Sequence, residues 1–256
     1  MAENYSTGII LQARMGSSRL PGKMGRKFYN GKTLLRVILE RLKEVFDSKL
    51  IIVATSTQKN DDFIESEAVS CGVNVYRGSE NDVLGRFVAA AEQFNHQRII
   101  RICADNPFIQ TAFVNDLLDY NSDSEADYVG FRLNRNLPAI KSHLGFFPEL
   151  VKGEALKQIH KSNPDAIFRE HVTNFFYNSQ NKAYKTSWID LDYPEEMIRN
   201  VRLTIDTESD FMIADSLFRY FNENGMKGSD EQIFDYLSEN HKILNQMTKN
   251  ISANEK

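Results

Sequence analysis

The sequence predicts an α/β fold, a mostly parallel sheet with helices on both of its faces. Two observations carry that prediction. Short apolar runs (Gly8–Leu11, Leu50–Ala54, Val73–Tyr76 and Arg98–Cys103) alternate with helical patterns, and strand–helix repetition implies parallel crossovers. Most of the runs are apolar nearly throughout, as in strands buried on both faces by flanking helices. The chain has 256 residues, enough for a sizeable core in one domain.

The elements follow in order. Gly8-Ile9-Ile10-Leu11 is a buried strand that leads into Gln12–Lys23, written QARMGSSRLPGK. Gly16, Ser17, Ser18, Pro21 and Gly22 make that stretch a loop. Thr33–Phe46 places apolar residues at helical spacing with charges between, the pattern of an amphipathic helix on a sheet. Leu50–Ala54 is the second strand, with Thr55-Ser56-Thr57 at its end. Asp61–Cys71 reads as a helix stopped by Gly72. Val73–Tyr76 is a short strand, and Glu80–Phe94 is mostly helix, capped by Asn81 or Asp82. Arg98–Cys103 is the next buried strand. Asp105-Asn106-Pro107 then interrupts the alternation. A helix is expected at Thr111–Tyr120 and a strand at Tyr128–Arg132. Leu133–Asp192 is aromatic-rich and irregular, with helical pieces near Glu149–His160 and Ala166–Tyr177 and a strand at Tyr184–Leu191. This region reads as an insertion that extends the sheet or forms a subdomain. Val201–Ile205 returns to a buried strand. Thr207 and Asp210 resemble a capping box before the helix Phe211–Phe221. A last helix spans about Asp230–Ser238, and the polar tail Lys249–Lys256 is expected to fray.

Composition excludes several function classes. The net charge is −4, so no global basic field favours nucleic acid, and a polyanion must be met by a local cluster. Cys71 and Cys103 form neither a disulfide framework nor a metal-ligand spacing. The start MAENYSTG lacks the n-region and h-region of a signal peptide, and no apolar run approaches the ~18 residues of a membrane span. The expectation is a cytoplasmic protein.

The loop Gln12–Lys23 carries Arg14, Arg19 and Lys23 and no acid. Such a loop after a strand suits a polyphosphate, because backbone N–H groups and hydroxyls wrap the oxygens while cations neutralise them. It equally describes an exposed basic turn. The P-loop spacing is absent. Two strands end in an acid, at Asp105 and Asp206. In a parallel sheet, strand carboxyl ends share one edge, so both acids can meet the loop there. Two carboxylates beside a triphosphate suit Mg²⁺, although each Asp could instead cap a turn or helix.

These segments resemble the cytidylyltransferase family that includes CMP-Kdo synthetases, CMP-sialic acid synthetases and spore-coat polysaccharide proteins. QARMGSSRLPGK resembles its signature loop and is nearest in wording to the spore-coat branch. RICADNPFI resembles its strand–Gly–Asp–x–Pro segment, with Ala104 where relatives usually carry Gly. RLTIDTESDF resembles its second metal-acid segment, and NDVLGRF the spore-coat D-V-L-x-R-[FY]. The resemblance runs from about Gly8 to Leu217. It implies a Rossmann-like nucleotidyltransferase with an inserted dimerisation and acceptor region at about 133–192, and a homodimer. The implied reaction joins CMP from CTP to a small acidic, sugar-like acceptor and releases pyrophosphate. Mg²⁺ would be held by Asp105 and Asp206. Arg14, Arg19 and Lys23 would act with those acids in catalysis. The nucleotide would contact Leu11, Gln12, Ala13, Arg14, Gly16, Ser17, Ser18, Lys23, Asp82 and Arg86. Asp82 and Arg86 lie one helical turn apart, so a local ion pair is the other reading of that pair. REHVTNFFYN and Gly145–Glu149 stand where relatives carry acceptor-side segments, which nominates Arg169, His171 and Glu149. A lone His beside aromatics is also a common core residue. Within the class, a polyol phosphate or a phosphonate is an alternative acceptor. Outside it, the fold could serve a non-catalytic nucleotide-sugar-binding protein.

Overall fold

The computed structural model describes residues 6–120, 125–162, 165–177 and 183–254, and its organising element is an eight-stranded sheet. The strands are β1 (Thr7–Gln12), β2 (Ile51–Ser56), β3 (Asn74–Gly78), β4 (Arg98–Cys103), β5 (Tyr128–Leu133), β6 (Leu137–Pro138), β7 (Glu149–Lys152) and β8 (Thr186–Leu191). Their spatial order is β3-β2-β1-β4-β7-β5-β6, with β8 paired to β5. The first four strands run parallel, β1 lying between β2 and β4. β7 pairs antiparallel with both β4 and β5, so β5 and β8 recover the direction of β4. The sheet is mixed and mostly parallel, as expected.

Helices cover both faces because successive side chains of buried strands point opposite ways. On one face, Ile9, Leu11, Val53, Ile100 and Ile102 pack in one apolar cluster with α1 (Leu34–Lys43), α2 (Asp62–Ser70), α4 (Thr111–Leu118), α9 (Glu208–Glu223) and α10 (Asp230–Glu239). On the other, Ile10, Ile52, Ala54 and Ile99 pack with α3 (Val83–Gln93) and α5 (Gly153–Lys161), and with Val172 and Phe176. The caps of α3 and α9 were expected from the sequence, whereas Thr33, read as part of its helix, is the cap of α1. Thr33 accepts from Arg36 N at 3.2 Å and Asp82 from Gly85 N at 3.0 Å. Thr207 and Asp210 form a full capping box.

The structure departs from the sequence reading in four places. Val201–Ile205 is not a strand. Val201, Leu203 and Ile205 are buried, which explains the apolar alternation, but the segment donates from Val201 N to Met197 O, from Leu203 N and Thr204 N to His143 O and from Ile205 N to Asp105 O without building a ladder. The expected helix at Glu149–His160 begins only at Gly153, because Glu149–Lys152 completes β7 between β4 and β5. Ala166–Tyr177 divides into α6 (Ala166–Glu170) and α7 (Asn174–Tyr177) around a turn at His171. The tail does not fray through its described part. Residues from His241 to Asn254 form α11, held by the buried Asn250, which donates to Ser209 Oγ at 2.9 Å and Asp210 Oδ1 at 3.0 Å. Residues 255 and 256 lie outside the described residues. The remaining short helix is α8 (Glu195–Asn200).

Candidate active site

β1 and β4 end side by side, Gln12 in register with Cys103, so the loop after β1 and the turn after β4 share the carboxyl edge of the sheet. The loop is held from below by Asp61, a buried acid that accepts from Met15 N at 2.7 Å and from Ser56 N at 3.1 Å. Within the loop, Ser17 N and Gly22 N both donate to Met15 O, at 2.9 and 3.1 Å. Gly22 has φ +71, a left-handed conformation costly for a residue with a Cβ, and it turns the chain so that Lys23 enters the interior. Among the described residues, the backbone N–H groups of Gly16, Ser18 and Arg19 find no acceptor. Such unpaired amides are what an anion cradle needs.

Lys23 stands at the centre of the site. It is 4% exposed, and its Nζ lies 2.8 Å from Asp105 Oδ1, 2.7 Å from Ile205 O and 3.9 Å from Asp206 Oδ1. Arg19, half exposed, reaches Asp206 Oδ1 at 2.7 Å. The other oxygen of Asp206 accepts from Arg202 at 2.8 Å, and Arg202 also donates to Asp210 Oδ1 at 3.0 Å and meets His143 Nδ1 at 2.9 Å. Arg202 is 3% exposed. Burial works against the Asp210 charge, but Arg202, the Thr207 side chain and the Asp206 N–H outweigh it and hold the carboxyl below its ordinary range. Ala104 adopts a negative φ, as its Cβ demands, and its N–H donates to Gln12 O at 3.0 Å.

Around this centre lies a cleft of about 280 Å³. The end of β1 and the loop supply Gln12, Arg14, Ser17, Ser18, Arg19 and Lys23; β4 and its end supply Arg101, Cys103 and Asp105; the end of α6 and the turn after it supply Glu170 and His171; Asp206 closes it. Two larger hollows, of about 730 and 620 Å³, lie elsewhere and contain none of the sequence-nominated residues.

The tertiary structure thus gathers Gln12, Arg14, Ser17, Ser18, Arg19, Lys23, Asp105, His171 and Asp206 into one cleft. Leu11 and Ala13 are buried beside it, their backbones engaged by β2 and β4. Gly16 lies close to Glu80, whose Oε1 would be 3.0 Å from an added Cβ. The Asp82–Arg86 pair is not an ion pair. Asp82 caps α3 and binds His160 Nε2 at 2.8 Å and Arg169 NH1 at 3.1 Å. Arg86, 1% exposed, donates to the Ser79 and Glu80 carbonyls. Burial, reinforced by the Arg14 charge, pushes the Arg86 guanidinium below its ordinary range. Arg169 packs at the α3 cap and does not line the cleft.

Glu149 is displaced furthest from its expected role. It is 1% exposed, and both oxygens are occupied: Oε1 by Tyr128 OH at 2.8 Å, Oε2 by Thr173 Oγ1 at 2.9 Å and by Arg101. It stands behind the cleft wall, because β7 puts it in register with Arg101. Sequence reading missed Arg101, Cys103, Glu170, Asp61 and Arg202. The one available signal was Arg101, a cation inside an otherwise apolar strand.

The two carboxylates converge on one positive charge, the Lys23 ammonium, and Asp105 is partly open to solvent. A divalent cation between them would find hard oxygen ligands, with phosphate and water completing its shell. No group of three or more His, Cys, Asp or Glu gathers among the described residues to hold a metal, in this cleft or outside it, so the protein would offer such an ion only this pair of acids.

Comparison with known proteins decides the family. The family model for cytidylyltransferase matches residues 8–248. The chain belongs to the cytidylyltransferase family. An uncharacterized protein of Methanocaldococcus jannaschii is 36% identical over 96% of this cytidylyltransferase and 93% of its own length. The spore coat polysaccharide biosynthesis protein SpsF of Bacillus subtilis is 32% identical over 84% of this chain and 87% of its own. A solved cytidylyltransferase from Leptospira borgpetersenii superposes with TM-score 0.79 at 29% identity, covering 94% of this chain and 97% of the other. The cytidylyltransferase is therefore a nucleotidyltransferase, and among its described residues no helix is long and apolar enough to cross a membrane.

Proposed function

We propose that this cytidylyltransferase joins CMP from CTP to an acidic keto sugar and releases pyrophosphate, for a surface glycan. The observation that carries the reading is the meeting of Arg19 and Lys23 with Asp206 and Asp105 in one cleft. A nucleoside triphosphate and its cation bring the complementary pair of charges to those same residues. The signature loop supports cytidine as the nucleoside, and the similarity to SpsF, a spore coat polysaccharide biosynthesis protein, supports a surface polymer.

In this reading Ser18 and the free amides of Gly16, Ser18 and Arg19 hold phosphate oxygens, while Arg19 and Lys23 neutralise the leaving pyrophosphate. The acceptor hydroxyl oxygen forms a bond to the α-phosphorus as the bridge to the β-phosphate breaks. The chain supplies position and charge rather than a covalent group. Burial pushes the Cys103 thiol up, away from the thiolate that a nucleophile needs. Asp105 and Asp206 would hold Mg²⁺, which when bound supplies charge neutralisation and lowers the pKa of a bound oxygen. The reading also includes one nucleotidyltransferase domain that assembles as a homodimer through the region at about 133–192, which light scattering tests.

The test is a pyrophosphate-release screen of each NTP against keto-acid sugars, neutral sugars, phosphorylated polyols and phosphonates. Turnover with CTP and keto-acid sugars is expected. Turnover with UTP equal to that with CTP, or confined to the other acceptors, overturns the corresponding half of the proposal.

A further inference from the structure

We propose that Arg101 is the anchor for the anionic group of the acceptor and sets the preference for acidic acceptors, an inference that rests on the function proposed above. β4 carries Ile99, Arg101 and Cys103 on one face. Ile99 packs in the apolar cluster under α3 and α5, and the same face turns polar toward the carboxyl edge, at Arg101, Cys103 and the neighbouring Gln12 of β1. A fully apolar strand would serve packing there. A cation only 7% exposed carries a desolvation cost that packing does not explain.

The way Arg101 is held prepares one side of it for a ligand. NH1 is committed to Glu149 Oε2 and lies 3.3 Å from Thr173 Oγ1. Glu149 is in turn pinned by Tyr128 OH at 2.8 Å, and Tyr128 is stacked on Phe176 with centroids 5.3 Å apart. Nε, by contrast, is buried and finds no acceptor among the described residues, and neither does Gln12 Oε1 find a donor. These two orphans, one donor on a cation and one acceptor, sit on adjacent strands in the wall of the same cleft. A buried polar atom without a partner is costly. A ligand offering a carboxylate beside a hydroxyl would satisfy both after a small side-chain shift. The fork of a guanidinium suits a planar carboxylate. The loop cations already face Asp105, Asp206 and Glu170. Arg101 has its counter-ion turned away from the cleft, which leaves it for the second substrate rather than for the triphosphate.

The test compares a keto-acid sugar with its C1-amide in the wild-type enzyme, in Arg101→Lys, and in the double variant Arg101→Gln with Glu149→Gln, which leaves no unpaired buried charge. Each protein is also titrated with CTP by calorimetry. The double variant is expected to raise the acceptor KM for the acid by about tenfold or more, to leave the KM for the amide unchanged, and to alter CTP affinity less than about twofold. Arg101→Lys should restore part of the preference, since it keeps the charge and loses the fork. A double variant that retains the wild-type preference for acid over amide overturns the inference while the proposed function stands. If Arg101→Lys alone folds, its acid-to-amide ratio decides, and an unchanged ratio overturns the inference. Wild-type turnover confined to neutral or phosphorylated acceptors overturns the proposed function, and this inference with it.

Discussion

Replacing Arg19 with Ala separates a role on the triphosphate from a role in folding. Its side chain is 51% exposed, and among the described residues its one ion pair is to Asp206 Oδ1 at 2.7 Å. A pair that open to solvent contributes about 0–1 kcal/mol to stability. For a chain of this size such a loss lowers Tm by no more than about 2–4 °C. Asp206 keeps Arg202 on its other oxygen, at 2.8 Å, so the acid is not left without a partner. On CTP, the same guanidinium would make charge-assisted hydrogen bonds to phosphate, each worth about 1.5–3 kcal/mol. Leaving Asp206 offsets part of that gain, so affinity for CTP should fall by about tenfold to a hundredfold. CMP lacks the β- and γ-phosphates and should lose less than about threefold. Calorimetry with CTP and with CMP, beside a thermal melt, reads all three numbers. Equal losses for the two nucleotides would refute the assignment, as would a Tm drop of about 10 °C or more. Lys23 is a poor choice for this test. At 4% exposure, its removal leaves the Ile205 carbonyl and Asp105 without their partner, so stability and binding fall together.

Asp105→Asn and Asp206→Asn should each retain the fold and lower turnover by about a thousandfold, the several kcal/mol expected for charge stabilisation by a metal; near-wild-type activity at saturating Mg²⁺ would show that the residue only caps its turn. Burial raises the Asp82 carboxyl, but His160, the Gly85 N–H and Arg169 outweigh it and hold it below its ordinary range. Its contribution is therefore present above the unfolded-state pKa and is lost as pH falls through the lower native value. Asp82→Asn keeps the cap but loses the charge facing His160 and Arg169; it should cost about 0–1 kcal/mol at neutral pH and flatten the acid limb of the Tm–pH profile, and a parallel profile would contradict the shift. Asn250→Ala, at 7% exposure, leaves Asp210 Oδ1 short of one donor and should cost about 1–3 kcal/mol, read by urea denaturation; an unchanged midpoint would mean that α11 is not tied to the site.

The parallel half of the fold was legible because its strands and helices declare themselves locally. Gly8–Leu11 and Leu50–Ala54 are apolar nearly throughout, and Asp82 and Thr207 cap the helices that follow them. The loop from Gln12 to Lys23 was legible for a different reason: Gly, Pro and Ser exclude other structure, and three cations without an acid state a charge that needs a partner. The second half resisted reading because its pattern is ambiguous at short range. Val201, Leu203 and Ile205 alternate like a strand, yet they are an extended segment whose neighbours supply no continuous ladder. Glu149–Lys152 preceded a helix closely enough to be read as part of it, and only the gap between β4 and β5 makes it a strand.

By itself, then, the sequence determined the alternation of elements, the position of the basic loop and the two acids at the ends of apolar runs. Those are properties of single segments, decided by periodicity and by which residues tolerate a turn. The tertiary structure alone decided which charges meet. Lys23 faces Asp105 and Asp206, and Glu149 withdraws behind Arg101 instead of facing the cleft. Asp61 ties the loop to the end of β2. Such pairings depend on strand order and register, in which a shift of one residue turns every side chain to the opposite face. No local pattern records them.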